Sequence, residues 1–467
     1  MSTFIMQRSN LKLKMKIVWI RIQSEIIRRN MIKKTFWLLG LMWISTGSLF
    51  AQETLPRLSL TQLLDSAVQR NYLLQANEKN IAIKQAEIEI LKTNYQPRIS
   101  TSATASFWKF LLPNKEKLLG NTLTDVYTDI TAYQTIYDWG ENKVKTSVVK
   151  DEILLNDDVR RQIRNTIIWG VSDAYFEALK AESEVSVHFN AIHQLKSHLQ
   201  YAENLYKIGK VSGVDVLKIN VQISVEEKAL QKAQNAVTSQ YIKIRRLCNL
   251  ENSGSFEMEN SSENYYREFQ NRIFISDSLY AEVLRNHPAL NASDLKMSME
   301  TKQKEISRLQ NRPELYSYGI ASWEHGYLPF GSNFNYNIGA GIRYTIPYWG
   351  GSSYKTKMLQ SDIRIEQMGD EKNQTFLDIR KEIDVVLNEI SDKRSEITNN
   401  EKIIRLTQET LNNTLVKYQS GQGPIIDVLD AESILTETTI AYRKSTLAYL
   451  QSLGKLNYLT GNDKYPF

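Results

Sequence analysis

The chain states the same pattern twice, and a duplication on this scale confines it to architectures built from two copies of one unit. Tyr206, Gly209 and Asp215-Val216-Leu217 recur without a gap at Tyr418, Gly421 and Asp427-Val428-Leu429, a shift of 212 positions. Upstream, Leu74, Ala76 and Pro97 match Leu290, Ala292 and Pro313 at a shift of 216. Thr135-Ile136 with Trp139-Gly140 match Thr345-Ile346 with Trp349-Gly350 at a shift of 210. The organisation expected is a leader at 1–51, a first repeat at 52–250, an equatorial linker at 251–276, and a second repeat with a C-terminal tail at 277–467.

The leader is read as a secretory signal peptide. Lys33-Lys34 precede an uncharged run from Phe36 to Phe50, and Ala51 supplies the small residue a signal peptidase needs. The run is shorter than the ~20 apolar residues of a spanning helix, which ranks an uncleaved anchor second. The basic stretch before Met31 is unusual for a signal, and makes Met31 an alternative start. Nine Lys/Arg and one acid, Glu25, lie in this leader, so the remainder carries 49 basic and 51 acidic residues, a balance of −2 against +6 for the whole. The basic pI therefore belongs to the leader and gives no support for nucleic-acid binding. Cys248 is the single cysteine, which rules out an intrachain disulfide, a Cys-cluster metal site and a lipidated cysteine after the leader.

Each repeat reads as helix, strand, strand, long helix, turn, helix. In the first, Leu60 to Asn94 is helical and closed by Pro97, and Ile99–Phe110 and Val126–Tyr137 are strands. In the second, Phe334, Tyr336, Ile338, Ala340, Ile342, Tyr344 and Ile346 alternate without exception with Asn335, Asn337, Gly339, Gly341, Arg343 and Thr345. That is a strand with one apolar and one polar face. Half of an ordinary sandwich would do, but globular strands average about five or six residues, whereas a tilted membrane-spanning strand needs ~9 to 11. Length favours a barrel strand with lipid on one side and water on the other.

Long helices follow. Phe376, Ile383, Ile390, Ile397, Ile404 and Leu411 fall at strict intervals of seven, a coiled-coil seam, and 140–206 carries a related pattern. At 1.5 Å per residue each helix would run ~100 Å, and the shorter partners at 60–94 and 215–249 about half that. Two short rods laid end to end match one long rod, which suits a tall cylindrical wall. Four strands cannot close a membrane barrel, since the smallest use about eight, and an open edge in lipid leaves backbone groups unpaired. The chain must therefore oligomerise, and strand count alone allows two, three or more copies.

With these residues in view, the chain resembles the TolC-like outer-membrane efflux protein family over Leu60 to Leu459. The resemblance rests on the duplicated unit, the Tyr-x-x-Gly-x5-Asp-Val-Leu turn in both copies, and Asp427-Val428-Leu429-Asp430-Ala431. It implies a mainly helical homotrimer whose four strands per chain form a twelve-stranded outer-membrane barrel. The barrel would continue into a coiled-coil tunnel across the periplasm. The implied partners are outer-membrane lipid, a periplasmic adaptor (membrane fusion) protein and an inner-membrane RND or ABC pump, with no nucleic acid and no cofactor.

The resemblance also assigns residues. Asp427 and Asp430 would narrow the periplasmic aperture, six carboxylates in three chains. Tyr418 would bond the acid at Asp215 as a latch between neighbouring hairpins, with Tyr206, Gly209 and Gly421 at the hairpin tips. A second family link uses an arginine where this chain has Gly423, so that link would be missing or replaced. Read from the residues alone, Gly209 and Gly421 suit positive φ after a helix, and Asp215 and Asp427 suit N-caps of the next one. Capping does not account for Asp430, where the first repeat has Lys218.

An enzyme is the first rival. His188, His193 and His198 are five apart, about 140° per step around a helix, unlike the i, i+4 pairing that holds a metal. No nucleophile elbow, P-loop or dinucleotide fingerprint is present. A periplasmic coiled-coil adaptor or scaffold without a pore is the second rival, but it has no use for alternating strands between helices. The cargo is not disclosed by the sequence.

Overall fold

No proline falls within 141–207 or 353–419, and apolar side chains return to one face every turn or two, so nothing stops either helix for 67 residues. The computed structural model describes residues 56–109, 122–250, 256–325, 332–344 and 353–462. The leader, Ile346 and the repeated residues Thr345, Trp349 and Gly350 lie outside them. Arg57–Phe467 form one compact unit. In chain order its elements are β1 (Arg57–Leu58), α1 (Leu60–Arg70), α2 (Tyr72–Lys92), β2 (Arg98–Lys109), β3 (Thr122–Tyr137), α3 (Glu141–Lys207) and α4 (Gly213–Leu247). There follow β4 (Glu257–Met258), α5 (Ser262–Phe269), α6 (Ser276–Asn286), α7 (Pro288–Leu309), β5 (Glu314–His325), β6 (Ser332–Arg343), α8 (Ser353–Gln419) and α9 (Ile425–Leu459).

The two long rods, α3 and α8, organise the rest. α3 packs on α1, α2 and α4 of its own repeat and on α7 and α9 of the other, while α8 packs on α6, α7 and α9. The short helices divide each rod between them. Lys84 of α2 pairs with Glu152 at 2.6 Å on the first half of α3, and Lys196 on its second half pairs with Glu227 of α4 at 3.3 Å. The heptad seam of α8 is buried where expected, with Ile383, Ile390 and Ile397 at most 3% exposed.

The helix expected over 60–94 is broken at Asn71, which no Pro or Gly announces. Asn71 Oδ1 accepts the amides of Leu73 (2.9 Å) and Leu74 (3.3 Å), capping α2 as α1 ends. The second repeat breaks at the matching place: His287 Nδ1 accepts from Ala289 N at 3.2 Å, with Pro288 as the first helical residue.

The strands make one antiparallel sheet in the order β2-β3-β5-β6, so β3 and β5 join the two repeats edge to edge. Residues paired across the ladder share a face. On one face lie Ile99, Ala132, Gly319 and Ile338, in register; on the other lie Ser102, Asp129, Ser322 and Asn335.

The core sits at mid-height, where Tyr175 and Phe176 of α3, Ile383 of α8 and Tyr449 and Leu450 of α9 meet. The equatorial segment closes over it. Phe256 and Met258 are buried, β1 pairs in parallel with β4, and α5 lies on α9, where Tyr449 Oη donates to Phe269 O at 2.8 Å. Cys248 is wholly buried beside it, and burial pushes its thiol up to about 12, leaving an inert side chain.

Candidate functional site: a two-faced sheet and two hairpin ends

The residues expected to face lipid share one side of β6. Phe334, Tyr336, Ile338 and Ile342 are 69, 77, 82 and 69% exposed, with Ala340 exposed between them. The strand ends at Arg343, so Tyr344 is exposed just beyond it. Leaving four large apolar side chains in water forgoes ~1.5 to 3 kcal/mol each, a cost that cover would remove. On the opposite face, Gly339 and Gly341 pair with Tyr318 and Tyr316, whose rings lie so close that an added Cβ at either glycine would be 2.8 Å from them. Arg343 stacks over Tyr316 (4.9 Å) and Tyr133 (5.2 Å) and lies 3.7 Å from Glu314. Asp129 accepts from the amide (3.0 Å) and hydroxyl (2.6 Å) of Ser102. This face is polar and hydrogen-bonded, as a water-facing wall requires.

Where sheet becomes helix, Trp139 and Gly140 take positive φ of 59° and 85° to turn β3 into α3. Asp138 fastens the turn: it accepts from Gly140 N (3.0 Å), Asn142 N (2.9 Å) and Tyr95 Oη (2.6 Å).

At the far end the two repeats close their hairpins identically. Gly209 N bonds Tyr206 O (2.9 Å) and Lys210 N bonds Leu205 O (2.9 Å); Gly421 N bonds Tyr418 O (3.0 Å) and Gln422 N bonds Lys417 O (2.8 Å). With φ of 74° and 76°, the glycines make Schellman turns that side chains would strain. The N-caps differ from the expectation. Ser212 caps α4, its hydroxyl accepting from Val214 N at 3.2 Å, and Pro424 holds the cap position of α9. Asp215 and Asp427 each stand three residues further in, with amides bonded to the carbonyls of Ser212 and Pro424. There they favour the positive end of the helix dipole rather than capping it. Asp427 and Asp430 are both exposed on α9.

The equivalent tyrosines behave differently. Tyr206 is 54% exposed, whereas Tyr418 is 4% exposed, set edge-on to Tyr201 of α3 at 6.4 Å. The Tyr418 hydroxyl is buried with no hydrogen-bond partner among the described residues. Burial, followed by the Asp215 charge, raises its pKa. Tyr418 and Asp215, expected to form the latch, are therefore neighbours without a bond between them.

Sequence reading missed a second group on the same helices. His188 and His198, although spaced away from an i, i+4 pairing, both point into the packing of α3 with α4 and α9. His188 Nδ1 lies 2.7 Å from Glu226 of α4, and His198 Nε2 lies 3.5 Å from Glu432 of α9. His193, between them, is exposed. The signal was in the heptads, since Glu226 follows Ile219 and Ile223 on the buried stripe of α4, and Glu432 follows Ile425, Val428 and Leu429 on that of α9. Among the described residues no group of three or more His, Cys, Asp or Glu could hold a metal ion, and no helix is long and apolar enough to cross a membrane.

This architecture is that of known outer-membrane channels. Residues 63–250, the first repeat, match the model of the family described as outer membrane efflux protein. The Campylobacter jejuni CmeC outer membrane channel superposes with a TM-score of 0.68 at 16% identity, covering 86% of this chain and 85% of that one. The Vibrio cholerae outer membrane protein VceC gives 0.69 at 15%, covering 86% and 96%, and the open state of the Neisseria gonorrhoeae MtrE outer membrane channel gives 0.67 at 16%, covering 87% and 90%. No curated protein matches the sequence. The chain is thus similar to the outer membrane efflux protein family over its first repeat, and shares the fold of these channels over both repeats.

Proposed function

We propose that the protein is the outer-membrane channel of a tripartite efflux or type I secretion system, a passive exit duct from the periplasm. The observation that carries this reading is a four-stranded sheet, apolar on one face and polar on the other, in one chain with two helices of 67 residues, the first of which follows β3 after a turn at Asp138–Gly140. Such a sheet spans a membrane only if its open edges are paired, so copies must join. Three copies give twelve strands.

The duplication supports the same assembly. Within the chain, the hairpin α8–α9 packs on α3–α4 and buries Leu429 to 5% and Tyr418 to 4% exposed. Their counterparts Leu217 and Tyr206 stay 64 and 54% exposed, and Leu217 belongs to an open stripe with Val214, Val221 and Val225 on α4. Repeating the internal contact head to tail between copies would cover that stripe and close a ring. In the ring, Asp427 and Asp430 line the periplasmic aperture, and Asp215 and Tyr418 latch adjacent hairpins. A periplasmic adaptor and an inner-membrane RND or ABC pump deliver the cargo. Catalysis has no place in this duct.

Cell fractionation and planar-bilayer recording test the reading. A heat-modifiable oligomer in the outer-membrane fraction, conducting ions when purified, is the expected result. A soluble periplasmic protein without conductance would instead favour the adaptor or scaffold.

A further inference from the structure

Glu432 is 3% exposed, and neither of its carboxylate oxygens has a hydrogen-bond partner among the described residues. It lies on α9 at the contact between the two hairpins, near an apolar cluster containing Leu195 of α3, Ile223 of α4 and Leu429 of α9. α3 turns His198 toward it. α4 contributes Glu226, itself 7% exposed and engaged by His188 and, at 3.4 Å, by Gln222. α8 contributes Leu411 and Leu415 to the cluster. Glu226 is the one neighbouring charge that acts on Glu432, and it repels it. Among the described residues no lysine or arginine pairs with the carboxylate; the group beside it is the His198 imidazole at 3.5 Å.

An unpaired carboxylate in such a place is held neutral, because desolvating the charged form costs several kcal/mol. We propose that the cluster of Glu432, His198, Glu226 and His188 is a proton-operated clasp: with a proton on the Glu432–His198 pair the hairpins stay packed, and when it leaves, two buried carboxylates repel and the periplasmic mouth loosens. The proton serves on either partner, as a neutral acid beside a neutral imidazole or as a carboxylate beside an imidazolium. The loss of that one proton leaves Glu432 charged and alone.

The direction follows from linkage. Burial first, and the Glu226 charge second, lift Glu432 to about 7 from the ordinary 4.5, while burial lowers His198. A raised acid stabilises the packed state fully below its ordinary pKa and loses that stabilisation as pH rises through its raised one. For Glu432 the window runs from about 4.5 to about 7. His198, lowered by burial, works the other way as pH falls below about 6.5, so above that pH Glu432 acts alone and packing is lost as pH rises through about 7. The duplication isolates the device: a shift of 212 puts Asn220 opposite Glu432, Thr438 opposite Glu226 and Asn400 opposite His188. The clasp therefore belongs to the contact inside each chain and has no copy in the contact between chains.

The clasp rests on the channel reading, and the test separates the two. The full-length protein is recorded in planar bilayers from pH 5.5 to 8.5, as wild type, Glu432→Gln and Glu226→Gln, with each variant first shown to form the heat-modifiable oligomer. Exchange of the amides of 428–440 is measured over the same pH range, corrected for intrinsic rates. Wild-type conductance and exchange should both rise severalfold through neutral pH. Glu432→Gln, which has no proton to lose, should stay at the packed level, and Glu226→Gln should move the step to lower pH. A wild-type pH profile retained in Glu432→Gln would overturn the clasp while leaving the channel intact. Absence of conductance in every sample, with the exchange step present and lost in Glu432→Gln, would sustain the clasp and remove the channel.

Discussion

At the scale of single residues, the hairpin ends carry the sharpest consequences. A buried hydroxyl without a partner costs about 1 to 3 kcal/mol, and Tyr418 has Asp215 close enough for its charge to be felt. In the proposed assembly, that imbalance would favour a bond once the hairpins tighten. Tyr418→Phe should keep the ring packing against Tyr201, delete the bond, and raise the conductance of the purified channel. Unchanged conductance, with Asp215→Asn also silent, would remove the latch. Asp430 is simpler, because it is exposed and has no capping duty. Asp430→Ala should leave the unfolding free energy within about 0.5 kcal/mol of wild type, yet lower cation selectivity and block by multivalent cations from the periplasmic side in single-channel recordings. The tyrosine–glycine spacing was legible because a turn after a long helix demands positive φ. The caps were not, since Ser212 and Pro424 compete with aspartates three residues on, and only the backbone shows which residue precedes the first helical turn.

At the scale of elements, the strand β6 and the helix α8 were readable because each exposes a pure period, two for the strand and seven for the helix. Periods identify faces; they do not identify breaks. Asn71 and His287 end one helix and start another through local side-chain bonds, which leave apolar periodicity undisturbed. Buried glutamates are lost for a related reason, because a heptad is recognised by its apolar members and Glu226 and Glu432 read as gaps. The sheet yields the test of its own orientation. Ile338→Arg or Ile342→Arg sets a cation on the apolar face, near the midplane, at ~2 to 4 kcal/mol in every subunit. The variants should accumulate as unassembled protein, assayed by heat-modifiability in outer-membrane fractions. Insertion equal to wild type would show that this face does not meet lipid.

At the scale of the whole molecule, the two repeats share topology but not exposure, and the difference marks the surface that the proposed ring would cover. Leu217→Asp with Val221→Asp changes side chains that are 64% exposed in the single chain, so the fold of the chain should persist. Charge placed on the covered stripe of a closed ring should prevent assembly, and cross-linking with light scattering should report monomer in place of trimer. A trimer formed as readily as by wild type would move the subunit contact elsewhere. Strand count announced the need for copies. Which face meets them was invisible without the structure, because Leu217 and Leu429 both end the repeated Asp-Val-Leu triplet.

The pairing of β3 with β5 also sets an order of events during biogenesis. Tyr127 opposes Glu324, almost two hundred positions later in the chain, whereas β2 with β3, β5 with β6 and the two helical hairpins are joined by short connections. Local units can form as each repeat emerges, but the seam between them must wait for the second repeat and for the closure of a long loop. Until then each pair of strands presents unpaired edges, and after it the outermost strands β2 and β6 still do. On the proposed assembly, the polypeptide would pass through a half-zipped stage vulnerable to aggregation, which the arrival of sister chains would end.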